Sequence, residues 1–301
     1  ITMTSGAVLK YDNGGGFTEW DGQSEIDFSA GKIIRVSKDG VNRDYVVEIT
    51  NTGLPVVVIN QPGGDKDWEQ TGLTLWSKET EFDDLEANNP GTITVYNADG
   101  TISLETATSM TRLRGNTSQD YPKKPFAVKL VDDAPILGMK EHNRWVLLAN
   151  WKDKSLIRNH IAFGIAQKFT ENLDGSIPWN VHGEFVEVVY NGVHIGNYYL
   201  CEQIKVGVNR LNITKYKAKN FTGDWTAFGY LLESDDYYDE PAKFTTNHSI
   251  PFMFKDDVDA NNVILNAAKS MILDIEDKIY KGYKGTSATG YADAYQKFDL
   301  P

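Results

Sequence analysis

The stretch from Arg114 to Arg158 changes its hydrophobic period twice, which constrains the fold more than any other part of the chain. It begins with a basic turn that contains glycine, continues as an extended segment with alternating apolar residues, and ends in a pattern typical of a helix start. Strand patterns before and after this stretch, together with the helix, predict an α+β domain built on an antiparallel sheet. The cations of the stretch are therefore spaced along rigid elements, where phosphate or carboxylate can be held.

The segment F-A-V-K-L at 126–130 predicts a β-strand, because aromatic and β-branched residues favour extended backbone. Period-2 alternation places Phe126, Val128 and Leu130 on one face, and Ala127 with Lys129 on the other. An unpaired buried ammonium costs several kcal/mol, so Lys129 needs an anion or water. Two interpretations stay open: a phosphate-binding lysine, as in the V-A-I-K strand of kinases, or a lysine on the wet face of a half-exposed strand.

Five blocks follow one another between about residues 54 and 235: R-G-N-T-S, P-K-K-P-F-A-V-K-L, W-V-L-L-A-N-W-K-D-K-S-L-I-R-N, F-V-E-V-V-Y-N-G-V-H-I-G-N-Y-Y-L-C-E-Q-I and G-Y-L-L-E-S-D. In this order they resemble the CotH family, the spore-coat-protein-H-like atypical protein kinases. The resemblance implies a kinase-like small lobe followed by the start of a helical lobe. It also implies binding of ATP with Mg²⁺ or another divalent cation, and phosphorylation of protein substrates on Ser or Thr.

The resemblance further implies which residues bind the nucleotide. We expect Lys129 and Arg114 to contact the triphosphate, with Asn116 and Lys124 in supporting positions. The helix after the lysine strand carries no glutamate before residue 171, so Glu202 is the expected partner of Lys129. Without the family, R-G-N at 114–116 indicates a structural turn in which the arginine pairs with a carboxylate.

The chain departs from the family at its C-terminal end. After a further helix, the resemblance implies an N-W-D type block with the catalytic aspartate and a D-W-D or D-F-D type block with the metal-binding aspartate. Neither block occurs in this sequence. We therefore expect the catalytic residues beyond Pro301, a kinase domain over residues 53–301 that is incomplete at its C-terminus, and no metal ligands in this chain.

A second function stays open from the residue content. The chain contains 7 Trp and 15 Tyr, which suits a non-catalytic bacterial surface protein that binds a glycan or a protein partner. In that hypothesis, aromatic side chains in loops stack on sugar rings; the candidates are Trp68, Trp76, Trp151, Trp179 and Trp225.

Composition excludes several other classes. A formal net charge of -12 and a pI near 4.9 argue against nucleic-acid binding, which needs clustered cations. The only cysteine, Cys201, excludes an internal disulfide and lies in an apolar strand, which indicates a buried thiol. No apolar run reaches the roughly 20 residues of a membrane-spanning helix. Richness in Tyr, Trp, Asn and Gly with a single Cys suits an exported bacterial protein, which predicts a secreted or cell-surface-attached location.

Three local patterns complete the prediction. Residues 1–52 contain short strand patterns broken by D-N-G-G-G and K-D-G, which predicts a partial immunoglobulin-like sandwich or spacer. A helix is expected over 154–170, capped by Asp153; its predicted buried stripe is Ile157, Ile161, Ile165 and Phe169. The Asn-Gly pair at 191–192 predicts a β-hairpin with a type I′ turn.

Overall fold

The computed structural model of the chain describes residues 5–24, 26, 28, 32–47, 52–172, 179–214, 229–255 and 262–296. The chain forms two compact units, Ile1–Leu54 and Pro55–Pro301. In the first unit, the described residues form one antiparallel sheet in the order β2-β1-β3-β4. Its strands are β1 (Val8–Asp12), β2 (Phe17–Glu19), β3 (Lys32–Lys38) and β4 (Val41–Val47).

Leu9 and Ile34 are the buried apolar residues of this sheet. Asp39 and Gly40 have φ values of 50° and 78°, so the predicted Asp-Gly turn joins β3 to β4. A sandwich needs a second sheet packed on the first. The immunoglobulin-like fold of residues 1–52 therefore stays a prediction.

The second unit contains the remaining elements. In chain order they are β5 (Val56–Asn60), β6 (Lys66–Trp68), β7 (Leu73–Leu75), α1 (Phe82–Asn88), β8 (Gly91–Tyr96), β9 (Ile102–Leu113), a 3-10 helix (Thr117–Asp120), β10 (Phe126–Ile136), β11 (Met139–Leu148), α2 (Arg158–Asn172), β12 (Gly183–Tyr190), β13 (Val193–Glu202), β14 (Leu232–Glu233), β15 (Lys243–Thr245), β16 (Pro251–Phe254), α3 (Asn262–Tyr283) and α4 (Gly290–Tyr295). The architecture is mixed α+β, with more strand than helix.

Seven of these strands close into a barrel in the order β10-β11-β13-β12-β5-β8-β9. Every neighbouring pair is antiparallel except β5 and β12, which run parallel. The predicted antiparallel platform is therefore correct for most of the sheet, but the parallel pair allows it to close. Closure leaves the barrel without exposed edge strands.

The barrel interior is filled by alternate residues of its strands. Phe126, Val128 and Leu130 are each at most 1% exposed and belong to the main apolar cluster, so the predicted alternation along β10 is confirmed. Phe126 stacks on Tyr190 at 5.3 Å between ring centroids. The opposite parity, which includes Ala127 and Lys129, faces the outside of the barrel.

Helix α1 covers part of this outer face. Phe82 and Leu85 of α1 pack on Met110 of β9 and Ala127 of β10. The alternation in the sequence suggests a strand from Gly72 to Phe82, but β7 ends at Leu75 and a helix begins at Phe82. The sequence E-F-D-D-L-E-A-N carries apolar residues three apart and early acidic residues, which suit a short helix better than a strand.

Helix α2 covers another part of the outer face, but not with the predicted side. Phe163 packs into a cluster with Val146, Tyr199 and Cys201. The predicted buried stripe is instead on the opposite side of the helix and is exposed: Ile157 42%, Ile161 48%, Ile165 51% and Phe169 48%. The helix is apolar on two sides, and periodicity alone does not distinguish which one meets the barrel.

The remaining strands form a small sheet in the order β14-β16-β15, and α3 packs on it through Ile264 and Ala268. The hairpin β12–β13 turns at Asn191 and Gly192, whose φ values of 47° and 80° confirm the predicted type I′ turn. No helix among the described residues is long and apolar enough to cross a membrane.

Candidate functional site

A basic groove of about 290 Å³ lies at one rim of the barrel, where β9 ends, β10 begins, β11 ends and α2 starts. The sequence blocks that most resemble the CotH family thus meet in space. Cationic, amide, hydroxyl and aromatic side chains line it; among them are Arg114, Ser118, Tyr121, Lys123, Asn150, Trp151, Lys152, Asp153, Arg158 and Asn159.

Arg114 is the cation placed most deeply in this groove. Its backbone N–H donates to the Pro125 carbonyl at 3.2 Å, which fixes the bend against the start of β10. Burial lowers the pKa of the guanidinium, because desolvation disfavours the charged form. Among the described residues, no carboxylate lies within ion-pairing distance of it. The described residues therefore do not form the predicted ion pair between Arg114 and a carboxylate.

Gly115 sets the direction of the bend. Its φ of +83° lies in the left-handed region that favours glycine, and a Cβ atom there would clash with Ser118 Oγ. The glycine thus allows close approach of the following 3-10 turn. Ser118 also lines the groove, so the bend and the groove are built together.

Lys123 is a second largely desolvated cation. Its ammonium donates to the Asn197 carbonyl and lies 4.5 Å from the centroid of the Tyr198 ring. Burial lowers its pKa, an effect that the charge of Glu187 partly offsets. The sequence prediction selected Lys124 from the P-K-K-P doublet. Its neighbour Lys123 is the one that lines the groove.

The loop between β11 and α2 forms the opposite wall. Asn150 and Leu156 both have positive φ, 50° and 63°, which is costly for residues other than glycine. Asn159 of α2 donates to the Asn150 side chain at 2.8 Å, and Asn150 in turn donates to the Leu156 carbonyl at 3.1 Å. These side-chain hydrogen bonds hold the loop in its strained form.

The helix expected from residue 154 begins only at Arg158, so Asp153 is not the N-cap residue directly before it. Its carboxylate accepts hydrogen bonds from the Arg158 N–H at 2.8 Å and from the Ser155 hydroxyl at 2.6 Å. These bonds hold the pKa of Asp153 below its usual value, the Ser155 hydroxyl being the largest cause. The carboxylate is thereby bonded to the 155–158 segment and also lies 3.6 Å from Arg158 Nε, while Arg114, Lys123 and Lys152 keep the groove positive on balance.

Two aromatic side chains border the cations. Trp151 is 49% exposed, and Tyr121 faces Lys152, whose ammonium lies 4.8 Å from the ring centroid. Both rings line the groove. The exposed face of Trp151 beside these cations suits a planar, negatively charged ligand, because bases stack on such rings while phosphates meet the cations.

Lys129, the lysine singled out by the sequence, lies outside this groove. Its ammonium donates to Asp83 Oδ1 and Glu86 Oε2 of α1, both at 2.7 Å, and these bonds raise its pKa. It is four residues along β10 from Pro125, or about 13 Å at the rise of a strand. The expected grouping of Lys129 with Arg114 in one triphosphate site is therefore not formed.

Glu202 does not pair with Lys129 either, which corrects the sequence expectation. Glu202 is buried, and its carboxylate bonds to Arg210 Nη1 at 2.7 Å and to His182 Nδ1 at 3.0 Å. It has the same strand parity as Leu200, which points into the barrel, whereas Lys129 points out. The two side chains therefore lie on opposite faces of the sheet.

The two remaining predicted contacts have structural partners. The Asn116 side chain accepts a hydrogen bond from Lys78 Nζ at 2.6 Å. Lys124 Nζ donates to the Gln119 carbonyl at 2.8 Å, at the end of the 3-10 helix. Both residues brace the loop behind Arg114, and neither lines the groove.

The expected sugar-stacking surface is not formed by the described tryptophans. Trp68 is 3% exposed inside the barrel, Trp76 packs against α1, and Trp179 packs with the cluster under α2. Of the four described candidates, Trp151 alone is exposed, and Trp225 lies outside the described residues. Aromatic content here mainly builds the core.

Metal and thiol chemistry have little support in the described part of the chain. No group of three or more His, Cys, Asp or Glu side chains there is arranged to hold a metal ion. Cys201 is buried as expected, and desolvation raises its pKa to about 12. The thiol is therefore kept protonated at neutral pH.

The fold and the groove thus define an α+β barrel protein with a cationic, aromatic-bordered groove. The family model described as CotH kinase protein matches residues 111–293, which is well over half of the 301 residues. The chain belongs to the CotH kinase protein family. The family match begins at residue 111, later than the sequence resemblance, which begins at about residue 54. It ends at residue 293, beyond the end of the resemblance at 235. Among curated proteins, no match is found.

Proposed function

We propose that this chain binds the phosphates of ATP in the basic groove and serves ATP-dependent phosphorylation of Ser or Thr in a protein substrate. The observation that carries the proposal is Arg114, a desolvated guanidinium that has no carboxylate partner among the described residues. An anion entering the groove would restore the interactions that burial removes. Family membership supports kinase-like activity.

Three cations divide the work in this proposal. Arg114 offers a planar fork suited to two phosphate oxygens, whereas Lys123 offers a point charge. Arg158 stands at the first turn of α2, is exposed and lies 3.6 Å from Asp153 Oδ1, and we assign it to the outer phosphate. Phosphoryl transfer depends mainly on such positioning and on charge stabilisation, and ATP when bound supplies the phosphoryl group.

The nucleotide base is assigned to the aromatic border. Trp151 is exposed beside Lys152, and Tyr121 lies under the same ammonium. Stacking on an aromatic face is tolerant of base identity. The proposal therefore predicts modest preference among ATP, GTP and CTP, with the triphosphate as the main determinant.

A divalent cation fits the groove less well than the nucleotide does. Mg²⁺ is usually held by one or two carboxylates together with the phosphates. Asp153 is the carboxylate that lines the groove, and its oxygens are bonded to Ser155 and Arg158. No metal ligand in this chain is therefore assigned, and no step is derived through the metal.

Lys129 receives a structural role in this proposal. In protein kinases a strand lysine pairs with a helix glutamate, and here Lys129 pairs with Glu86 of α1. The pair differs in that the helix precedes the strand in the chain. We assign it to holding α1 on the barrel, with direct contact to phosphate left to Arg114.

Secretion or surface attachment in a bacterium is the setting we propose for this activity. Its support is the family resemblance and the near absence of cysteine. Fractionation of cells that express the natural gene tests it. Recovery of the protein only from the cytosol would contradict the proposal.

Calorimetric titration tests the nucleotide assignment. The chain is titrated with MgATP, MgADP and AMP at constant ionic strength. We expect affinity to fall in that order, because each phosphate removed takes away a partner for the groove cations. Equal affinity for AMP and MgATP, or no binding of any of the three, would contradict the assignment.

A further inference from the structure

Ser118 is a half-buried serine of the 3-10 helix, and its side chain lines the basic groove. Two other hydroxyls near the groove are already bonded. Thr117 shares a hydrogen bond of 2.6 Å with the Tyr237 hydroxyl, and Ser155 donates to Asp153 at 2.6 Å. The Ser118 hydroxyl forms no hydrogen bond with another described residue. It is therefore open to modification on the groove side.

Two desolvated cations share the groove with this hydroxyl. The left-handed bend at Gly115 packs Ser118 against the residue next to Arg114, and Lys123 lines the same groove. Burial lowers the pKa of both cationic groups. Arg114 has no carboxylate partner among the described residues, and the Lys123 ammonium donates to a neutral carbonyl. A negative group on Ser118 would therefore meet two cations that lack a negative partner.

The charge balance of the groove favours such a group. Four cationic side chains line it, namely Arg114, Lys123, Lys152 and Arg158, and Asp153 is the one carboxylate among its described lining residues. The charge of Asp153 lies 3.6 Å from Arg158. Phosphoserine carries a charge of about -1.5 to -2 and three acceptor oxygens, which suits a guanidinium fork and an ammonium together.

We propose that Ser118 is a phosphorylation site and that its phosphoserine occupies the groove, where it bonds to Arg114 and Lys123 and excludes the nucleotide. The donor is ATP. A bond forms between Ser118 Oγ and the γ-phosphorus, and the bond from that phosphorus to the β,γ-bridging oxygen breaks. ADP leaves with the bonding electron pair, and the hydroxyl proton passes to water. Exclusion of the nucleotide rests on the proposed function, whereas docking of the phosphate on the two cations does not.

Phosphorus NMR of the intact chain, with phosphoserine installed at position 118, tests the docking. Adjacent cations favour the dianion, so the second pKa of the phosphate should fall about half a unit or more below its ordinary value near 6. Arg114→Ala should return at least about half of that shift. Phosphoserine installed in place of Ser249, an exposed turn residue, is the matched control and should keep the ordinary pKa. Equal pKa values at positions 118 and 249, or a shift unchanged in Arg114→Ala, would overturn the proposal.

Calorimetry with MgATP tests the exclusion of nucleotide. Phosphoserine at position 118 should lower the affinity at least about tenfold relative to the parent chain, because the groove cations are then already bonded. Phosphoserine at position 249 should leave the affinity unchanged. Ser118→Glu carries part of the charge and should lower the affinity in the same direction, which serves if the phosphorylated chain fails to fold by circular dichroism.

The outcomes separate this proposal from the proposed function. Equal MgATP affinity of the parent and the chain phosphorylated at position 118 would overturn the exclusion. A parent chain that binds no MgATP would contradict the proposed function instead, and the NMR titration would still decide the docking.

Peptide mass spectrometry tests whether the site is used. In protein isolated from cells that express the natural gene, we expect phosphate on Ser118 and not on Thr117, whose hydroxyl is bonded to Tyr237. Trypsin cuts after Arg114 and Lys123, so both hydroxyls fall in one short peptide, and fragmentation distinguishes them. Phosphate on Thr117 alone, or on neither residue, would overturn the assignment of Ser118.

Discussion

The Lys129 ammonium lies 2.7 Å from Glu86 Oε2, on a helix 43 residues earlier in the chain. A second carboxylate, Asp83, approaches the same nitrogen at 2.7 Å from a far more exposed position. The lysine side chain is 14% exposed, so its stem is packed while its charge is neutralised by α1. This ion pair joins α1, which the sequence pattern does not predict, to β10, the strand that carries Lys129.

A double-mutant cycle measures the strength of that pair. Lys129→Met and Glu86→Gln should show a coupling free energy on the order of 0.5–1 kcal/mol, since the pair is partly shielded from water. The coupling should shrink as salt rises. The exposed pair Lys278 and Asp274, four residues apart on α3, is the matched control and should show a smaller coupling. A coupling near zero for Lys129 and Glu86 would refute the assigned role.

Two glycines with nearly equal φ separate backbone conformation from steric clash. Gly192 has φ +80° and open space where a Cβ atom would lie, whereas at Gly115, with φ +83°, a Cβ atom would clash with Ser118 Oγ. We expect Gly192→Ala to lower the unfolding free energy by about 1 kcal/mol. Gly115→Ala should lower the unfolding free energy by more than Gly192→Ala does. Adding Ser118→Ala should recover only the difference between the two losses, because it removes the clash but not the backbone strain. Urea denaturation of the parent chain and these variants gives the values.

Similar losses in Gly115→Ala and Gly192→Ala would show that Ser118 moves aside without cost. The bend would then depend on its left-handed backbone alone. In that case the groove wall at Ser118 would form without tight packing of Ser118 on Gly115.

Stability should fall at alkaline pH. Burial raises the pKa of Cys201 from 9.0 to about 12 and that of Tyr199 from 10.0 to about 12, and it also raises those of Tyr190 and Tyr198. Above pH 9 the unfolded chain therefore binds fewer protons than the folded chain, and the unfolding free energy decreases with pH. The Cys201 contribution is complete below pH 9 and is lost between about 9 and 12.

Urea denaturation at about pH 8, 9.5 and 10.5 checks this slope. Cys201→Ala should flatten the slope in both intervals, most between the two higher values, since alanine does not titrate and the unfolded thiol is ionised there. A parent protein whose stability rises over this range, or a Cys201→Ala variant with an unchanged slope, would contradict the buried thiol's role.

The two sides of α2 should respond differently to substitution. Ile165 is 51% exposed, so Ile165→Gln should change the unfolding free energy by no more than about 0.5 kcal/mol. Phe163 packs against Tyr199 at 6.1 Å between centroids, so Phe163→Ala should cost about 2 kcal/mol or more. Thermal or urea denaturation distinguishes the two. The reverse order would mean that the predicted stripe, not the observed one, meets the barrel.

Local chemistry predicts the strands and turns well. The alternation over 126–130 and the Asn-Gly turn each depend on neighbouring residues, and both occur as expected. The predicted face of α2 is wrong because both of its sides carry apolar residues, and only the barrel decides between them. Helix α1 escapes sequence prediction because seven residues give a weak periodic signal.

The site is predictable in part for the same reason. Arg114 is selected from its own block and does line the groove. Lys123 and Asn159 come from two later blocks and Tyr121 from none, and the pairing of β9, β10 and β11 brings all three to Arg114. The partner of Lys129 depends on two things. A single strand determines which face its side chains occupy, but it does not determine the register with the neighbouring strands. Long-range pairing therefore decides what sequence spacing leaves open.

Titration of Arg114→Ala with MgATP tests the central claim most directly, namely that the basic groove holds the triphosphate. We expect affinity to fall by about tenfold or more, the usual loss of a charge-assisted hydrogen bond. Lys129→Ala, outside the groove, should change affinity less than about threefold, and Lys140→Ala, an exposed lysine of β11, should leave it unchanged. Unchanged affinity in Arg114→Ala, together with a large loss in Lys129→Ala, would contradict the account and move the nucleotide to the face beneath α1.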